Sequence, residues 1–128
     1  MSMEKDILMD LYQKFNIGDI PSVLKGFTEN AEWSTPPNVP WTKGICQGRE
    51  QIAEYFKAVG ENHSSIKVIP QDFVQEGNKM IVAGYLEGTA IESGINYATR
   101  IVHVMTWENQ RIAKFEDIVD AAEILKAF

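Results

Sequence analysis

From residue 66 onward the chain consists of apolar and β-branched runs broken by short polar turns: "IKVIPQDFVQE", "KMIVAGYLEGTAI", "NYATRIVHVMTW" and "RIAKFEDIV". The separators "EGNK" and "ENQR" have the composition of hairpin turns, so these runs predict a meander of long antiparallel strands. Alternating side chains would give that sheet one apolar face, which must be buried against something.

The first half supplies the cover. Ile7, Leu8, Leu11, Tyr12 and Phe15 recur at helical spacing and predict a helix of about a dozen residues ending at "NIGD". Asp19 and Pro21 are placed to start a second, short helix that buries Val23, Leu24 and Phe27. "NAEWS" reads as a short strand, and "TPPNVPWTKGICQG" as a long irregular loop, because its prolines and glycines suit neither helix nor central strand. "GREQIAEYFKAVGEN" predicts a third helix over 48–59 with Gly60 as terminator, and "DAAEILKAF" a short last one. Helices first and a strand meander afterwards is the order of an α+β fold, expected as one domain over 1–128.

Charge and composition narrow the partners. The net charge of −6 opposes nucleic acid and anionic membrane surfaces. The opening stretch "MSMEKDILMDLYQKF" has charges before any apolar run, which predicts neither leader nor spanning helix and a cytoplasmic location. Cys46 is the one cysteine, so no internal disulfide or thiol pair is expected. His63 and His103 lie far apart in sequence, with His63 in the polar "GENHSS" turn, so no metal site is expected, and no cofactor motif occurs.

The candidate chemistry lies in "VHVMTWENQRIAKFEDIVD", residues 102–120. Alternation puts Tyr97, Thr99, Ile101, His103, Met105 and Trp107 on one strand face. A three-residue "ENQ" loop would place His103 opposite Phe115 and diagonal to Asp117. A two-residue turn over Asn109 and Gln110 would place Glu116 beside it, with Asp120 on the same face. The first register is preferred, because it keeps Ala113, Phe115 and Val119 facing inward. An imidazole near a carboxylate in a concavity can move protons near neutral pH, which makes His103 and Asp117 the catalytic candidates. Asp120 has a competing reading as the cap of the closing helix.

The order of "GDI", "NAEW" before the Pro-rich loop, "GREQIAEYF", "VHVMTW" with "RIAKF", and "IVDAAEIL" resembles the NTF2-like superfamily, and within it the ketosteroid isomerase and SnoaL-like polyketide cyclase group. The resemblance implies a cone: a curved, mostly antiparallel sheet around N-terminal helices, with an internal pocket and commonly a homodimer. It does not fix a reaction. Where ketosteroid isomerases carry their aspartate base this chain has Thr35; His103 matches their oxyanion-hole acid, and their tyrosine falls at Leu11, beside Tyr12. Limonene epoxide hydrolase-like relatives would place an acid at Asp117, but Gly84 and Leu86 stand where their arginine and second acid belong.

Two readings stay open. One is a SnoaL-like enzyme that binds a small apolar, carbonyl-containing molecule and isomerises or cyclises it by proton transfer. The other is a non-catalytic binder or dimeric interaction module. Either would line its pocket with Tyr12, Trp33, Thr35, Trp41, Phe56, Ile101, Met105, Phe115 and Val119. An outward set of Tyr85, Val102 and Val104 would face a second copy.

Overall fold

The computed structural model describes residues 2–128. Two helices open the chain, α1 (Met3–Asn16) and α2 (Ile20–Leu24), followed by β1 (Phe27–Ser34), β2 (Ile45–Gln47) and α3 (Gly48–Asn62). The strands β3 (His63–Glu76), β4 (Lys79–Ala90), β5 (Asn96–Glu108) and β6 (Arg111–Val119) then run to a short α4 (Ala121–Leu125). They form one six-stranded sheet in the order β2-β1-β6-β5-β4-β3, antiparallel except where β1 lies parallel to β6.

Ser2 caps α1 by accepting the Lys5 N–H at 3.1 Å. At the far end of the helix, Asn16 donates to the Val68 carbonyl at 2.9 Å and accepts the Val68 N–H at 2.8 Å. That pair of bonds fixes α1 across β3 and so sets how far Tyr12 reaches over the sheet.

Curvature has local causes. A Cβ at Gly84 would collide with the Ile69 carbonyl and stand 3.0 Å from Pro70 Cα, so the close approach of β3 to β4 needs a glycine there. A Cβ at Gly88 would sit 2.6 Å from the Tyr97 ring, which instead lies flat over the strand. Opposite Gly84 the β3 register slips between Pro70 and Asp72, a bulge that accommodates a proline on an edge strand.

Several boundaries differ from the sequence reading. α3 runs past Gly60 to Asn62 and passes directly into β3, so His63 begins a strand and is buried, where a polar turn was expected. The Pro-rich loop contains the short strand β2, paired with the end of β1. Asp120 is the α4 cap, accepting the Ala122 N–H at 3.1 Å.

The β5–β6 hairpin takes neither expected register. Asn109 and Gln110 both have positive φ, 50° and 63°, and form a two-residue turn with Glu108 opposite Arg111. A bulge at Ala113 then shifts the pairing between Thr106 and Trp107, and beyond it Met105 faces Phe115 and His103 faces Asp117 directly. One extra residue reverses the side-chain phase, so the rejected turn coexists with Phe115 and Val119 facing inward, while Ala113, expected with them, is the bulged residue and Ile112 is buried in its place.

Candidate functional site

Between the concave face of the sheet and the helices lies a cavity of about 70 Å³. Part of its wall is aromatic. Trp33 of β1 stacks on its strand neighbour Phe115 at 3.9 Å between ring centroids and meets the edge of Phe56 from α3 at 5.1 Å. Phe115 in turn lies 4.6 Å from the His103 ring. Such contacts add to the area that these rings bury and hold the wall rigid.

Against this wall runs a chain of polar groups. The Tyr12 hydroxyl on α1 is 2.8 Å from His103 Nδ1, and the rings stack 25° from parallel. On its other side His103 Nε2 is 3.3 Å from Asp117 Oδ1. The Tyr55 hydroxyl on α3 reaches Asp117 Oδ2 at 3.4 Å. Two helices and two strands therefore each contribute one member of the sequence Tyr12, His103, Asp117, Tyr55.

Hydrogen-bond bookkeeping restricts the protonation states. A carboxylate beside Nε2 calls for a proton on that nitrogen, and a neutral ring then accepts the Tyr12 O–H at Nδ1. When the ring is protonated, Nδ1–H donates to the Tyr12 oxygen instead and leaves the hydroxyl hydrogen free. Burial, and after it the Asp117 charge, raise the Tyr12 phenol far above its ordinary range, so it remains a neutral donor. Tyr55 is raised for the same reasons.

Of the expected lining residues, Tyr12, Trp33, Trp41, Phe56, Ile101, Phe115 and Val119 border the cavity together with His103 and Asp117. Thr35 and Met105 do not. Thr35 points into the loop: its hydroxyl donates to the Gly44 carbonyl at 2.6 Å and accepts the Lys43 N–H at 3.0 Å. It organises the Pro-rich segment, and Pro36 borders the cavity in its place. Met105 is wholly buried between Met80 and Phe115, its neighbours on the adjacent strands.

Sequence reasoning missed Tyr55 as a polar participant, because its apolar helical context reads as core; its distance of three residues from Ile52 was the one signal that it faces inward. His63 was also missed. It is held between the Val59 carbonyl at Nδ1 and the Tyr97 hydroxyl at Nε2, each 2.7 Å away, and packs against Trp41 at 4.6 Å. Arg49 is a structural anchor, donating to the Phe27 carbonyl. Burial raises the Cys46 thiol, which keeps it protonated. Among the described residues no group of three or more His, Cys, Asp or Glu side chains could hold a metal ion. Nor is any helix among them long and apolar enough to cross a membrane.

The backbone has close counterparts among solved structures. An NTF2-like protein of unknown function from Burkholderia pseudomallei aligns over 99% of this chain and 98% of its own, with TM-score 0.91 and 25% identity. TerC, co-crystallised with polyporic acid, aligns over 98% of both chains with TM-score 0.88 and 23% identity. A protein of ketosteroid isomerase-like fold from Catenulispora acidiphila, in complex with trimethylamine, aligns over 94% of this chain and 90% of its own, with TM-score 0.84 and 12% identity. None of the curated proteins matches the chain in sequence. The curved open sheet over N-terminal helices is thus the NTF2-like cone, and since the SnoaL-like domain model matches residues 9–115, the chain belongs to the SnoaL-like domain family.

Proposed function

We propose that this protein binds a small, apolar, carbonyl-containing molecule in the cone and moves a proton on it. The observation that carries this reading is the His103 ring held between the Tyr12 hydroxyl and the Asp117 carboxylate at a cavity wall. In the proposed step Tyr12 meets the ligand. Its oxygen takes a proton from the carbon next to the carbonyl while its own hydrogen passes to His103 Nδ1, and the electron pair left behind delocalises onto the carbonyl oxygen as an enolate. Asp117 fixes the Nε2–H tautomer and stabilises the imidazolium as it forms, the role a buried carboxylate plays behind an imidazole elsewhere. Return of the proton to another carbon isomerises the ligand; attack of the enolate on a second carbonyl closes a ring.

The cavity limits size. About 70 Å³ is roughly half of a ~150 Å³ cavity that takes a benzene ring, so a compact ligand fits and a molecule of several rings requires the Trp41 loop to move. Polyporic acid and trimethylamine, the ligands of two related structures, fit the general expectation that the cone holds small molecules.

The second reading is a non-catalytic binder. It is favoured by Thr35, which stands where an acid would serve as base and bonds only to its own loop, and by protein partners on both His103 nitrogens. Exchange of α-hydrogens for deuterium in small ketones such as cyclopentanone, followed by NMR in D₂O, separates the two. Acceleration that disappears in His103→Ala supports the enzyme, while saturable binding with no acceleration leaves the binder.

We also propose that the convex face of the sheet meets a second copy. Val74 is 63% exposed and Ile81 45%, and Ile69 and Ile118 are exposed beside Tyr85, Val102 and Val104. A contiguous apolar patch of this kind is uncommon on a monomer. Sedimentation equilibrium should give twice 14.5 kDa at micromolar concentration, and a single 14.5 kDa species would overturn the dimer.

A further inference from the structure

Asp117 is the sole carboxylate among the described residues that line the cavity, and no lysine or arginine lines it with them. Among the described residues its one ion-pair partner is the His103 ring, which carries charge only when protonated. With His103 neutral, the carboxylate has hydrogen-bond donors around it but no countercharge. Its field extends through the site: after burial itself, the Asp117 charge is the cause that raises the phenols of Tyr12, Tyr55 and Tyr97. The remaining wall is apolar, and Trp33, Trp41, Tyr55, Phe56 and Phe115 border the space together with aliphatic side chains such as Ile101 and Val119. Aromatic rings attract a nearby cation, more strongly where water is excluded.

We infer that the cavity discriminates by charge and takes a small alkylammonium cation in preference to a neutral or anionic molecule of the same shape. The inference rests on the reading of this cavity as the ligand site, and it adds a ligand class that the carbonyl chemistry does not require. Three features converge on it. The carboxylate supplies a negative charge that no lysine or arginine of the cavity wall compensates. The rings supply polarisable surface without competing hydrogen bonds. The volume of about 70 Å³ suits a compact ion better than a large one. An anionic ligand would meet Asp117 with nothing to neutralise it, a repulsion that low local polarity enlarges. The net charge of −6 also raises the local concentration of cations over anions.

The test needs no substrate. Tetramethylammonium chloride, tert-butanol and pivalate are titrated at equal ionic strength into the wild-type protein, following the indole N–H resonances of Trp33 and Trp41. Saturable shifts with tetramethylammonium are expected, with binding at least tenfold weaker for tert-butanol and none for pivalate. Asp117→Asn should weaken tetramethylammonium at least tenfold while leaving tert-butanol unchanged, and because the wild-type ranking stands alone, misfolding of the variant would not rescue the idea. Equal or tighter binding of tert-butanol or pivalate, or no saturable response to tetramethylammonium, overturns the inference. The ketone exchange experiment is independent of this outcome, so loss of cation selectivity and loss of the proton-transfer reading are separately visible.

Discussion

Two buried histidines stand in this protein under nearly matched conditions, and they differ in one partner. His63 and His103 are 6% and 4% exposed, and each bonds a tyrosine hydroxyl, Tyr97 at 2.7 Å and Tyr12 at 2.8 Å. The remaining nitrogen of His63 meets the Val59 carbonyl, and that of His103 meets the Asp117 carboxylate. A carbonyl accepts a hydrogen bond but offers no charge to hold a second proton. Burial accordingly lowers the His63 pKa, with the Val59 bond opposing only in part. His63 is a neutral strut between α3 and β5. His103 has a counterion and a cavity beside it, which is what a proton carrier requires.

The sharpest way to break the comparison is to remove the counterion. Asp117→Asn keeps shape and deletes charge, so His103 loses the partner that holds its Nε2–H tautomer and would stabilise an imidazolium. Any ketone exchange activity should fall by about 10²–10⁴-fold, the usual worth of a positioned acid–base group. The His63 titration should not move. Unchanged exchange in Asp117→Asn would show that no functional pair exists.

Removing the phenols tests the half that the two sites share. Tyr12→Phe and Tyr97→Phe each leave a buried ring nitrogen without its donor, at a cost of about 1–3 kcal/mol in urea unfolding. The costs should be alike and the consequences should not. Tyr12→Phe is expected to abolish exchange, because the relay to Nδ1 is cut, whereas Tyr97→Phe leaves exchange intact and raises the His63 titration. Retained exchange in Tyr12→Phe would remove Tyr12 from the proposed step.

His63 should also leave a signature in stability against pH. Its folded pKa lies below the ordinary 6.5, so between the two values the unfolded chain binds more protons. Its contribution is fully present above about pH 6.5 and is lost as pH falls toward the folded value, with a slope of at most ~1.4 kcal/mol per pH unit. His63→Asn keeps a donor for the Val59 carbonyl and removes the titration. The stability gap between pH 7.5 and pH 5 should therefore be smaller in the variant, and an unchanged gap would assign the slope to other groups.

The two histidines were also unequally legible in the sequence. His103 sits in a strand with clean alternation, which places it inward whatever the turn does, and Asp117 follows on the partner strand. The bulge at Ala113 left no residue signal, because a bulge needs only an extra residue and tolerates alanine. His63 was hidden by its neighbours. "GENHSS" has the composition of a turn, yet α3 absorbs Gly60 in helical geometry and the chain enters β3 with no turn at all. Composition reports local preference, and here the pairing of β3 with β4 outweighs it. Thr35 and Met105 were misassigned for a related reason: alternation tells the face of a strand, not whether a loop or a neighbouring side chain fills the space above it.

The smallest expected effect probes what keeps His63 dry. Phe128 lies 5.7 Å from the His63 ring and 5.4 Å from Trp41, at the end of the segment that α4 anchors to β5. That anchor is polar. Asp120 caps α4 through the Ala122 N–H, and its own N–H donates to the Thr99 hydroxyl at 3.2 Å. Asp120→Ala removes the cap and keeps the backbone bond, so the expected cost is about 1 kcal/mol. Looser cover over His63 reduces the desolvation that depresses its pKa, and its titration should rise slightly toward the ordinary value. Ketone exchange, which the proposed step routes through His103 and Tyr12 of α1, away from the tail, should be unchanged. If exchange changes and the His63 titration does not, α4 covers the cavity end of the molecule, and the division between a structural and a functional histidine has been drawn in the wrong place.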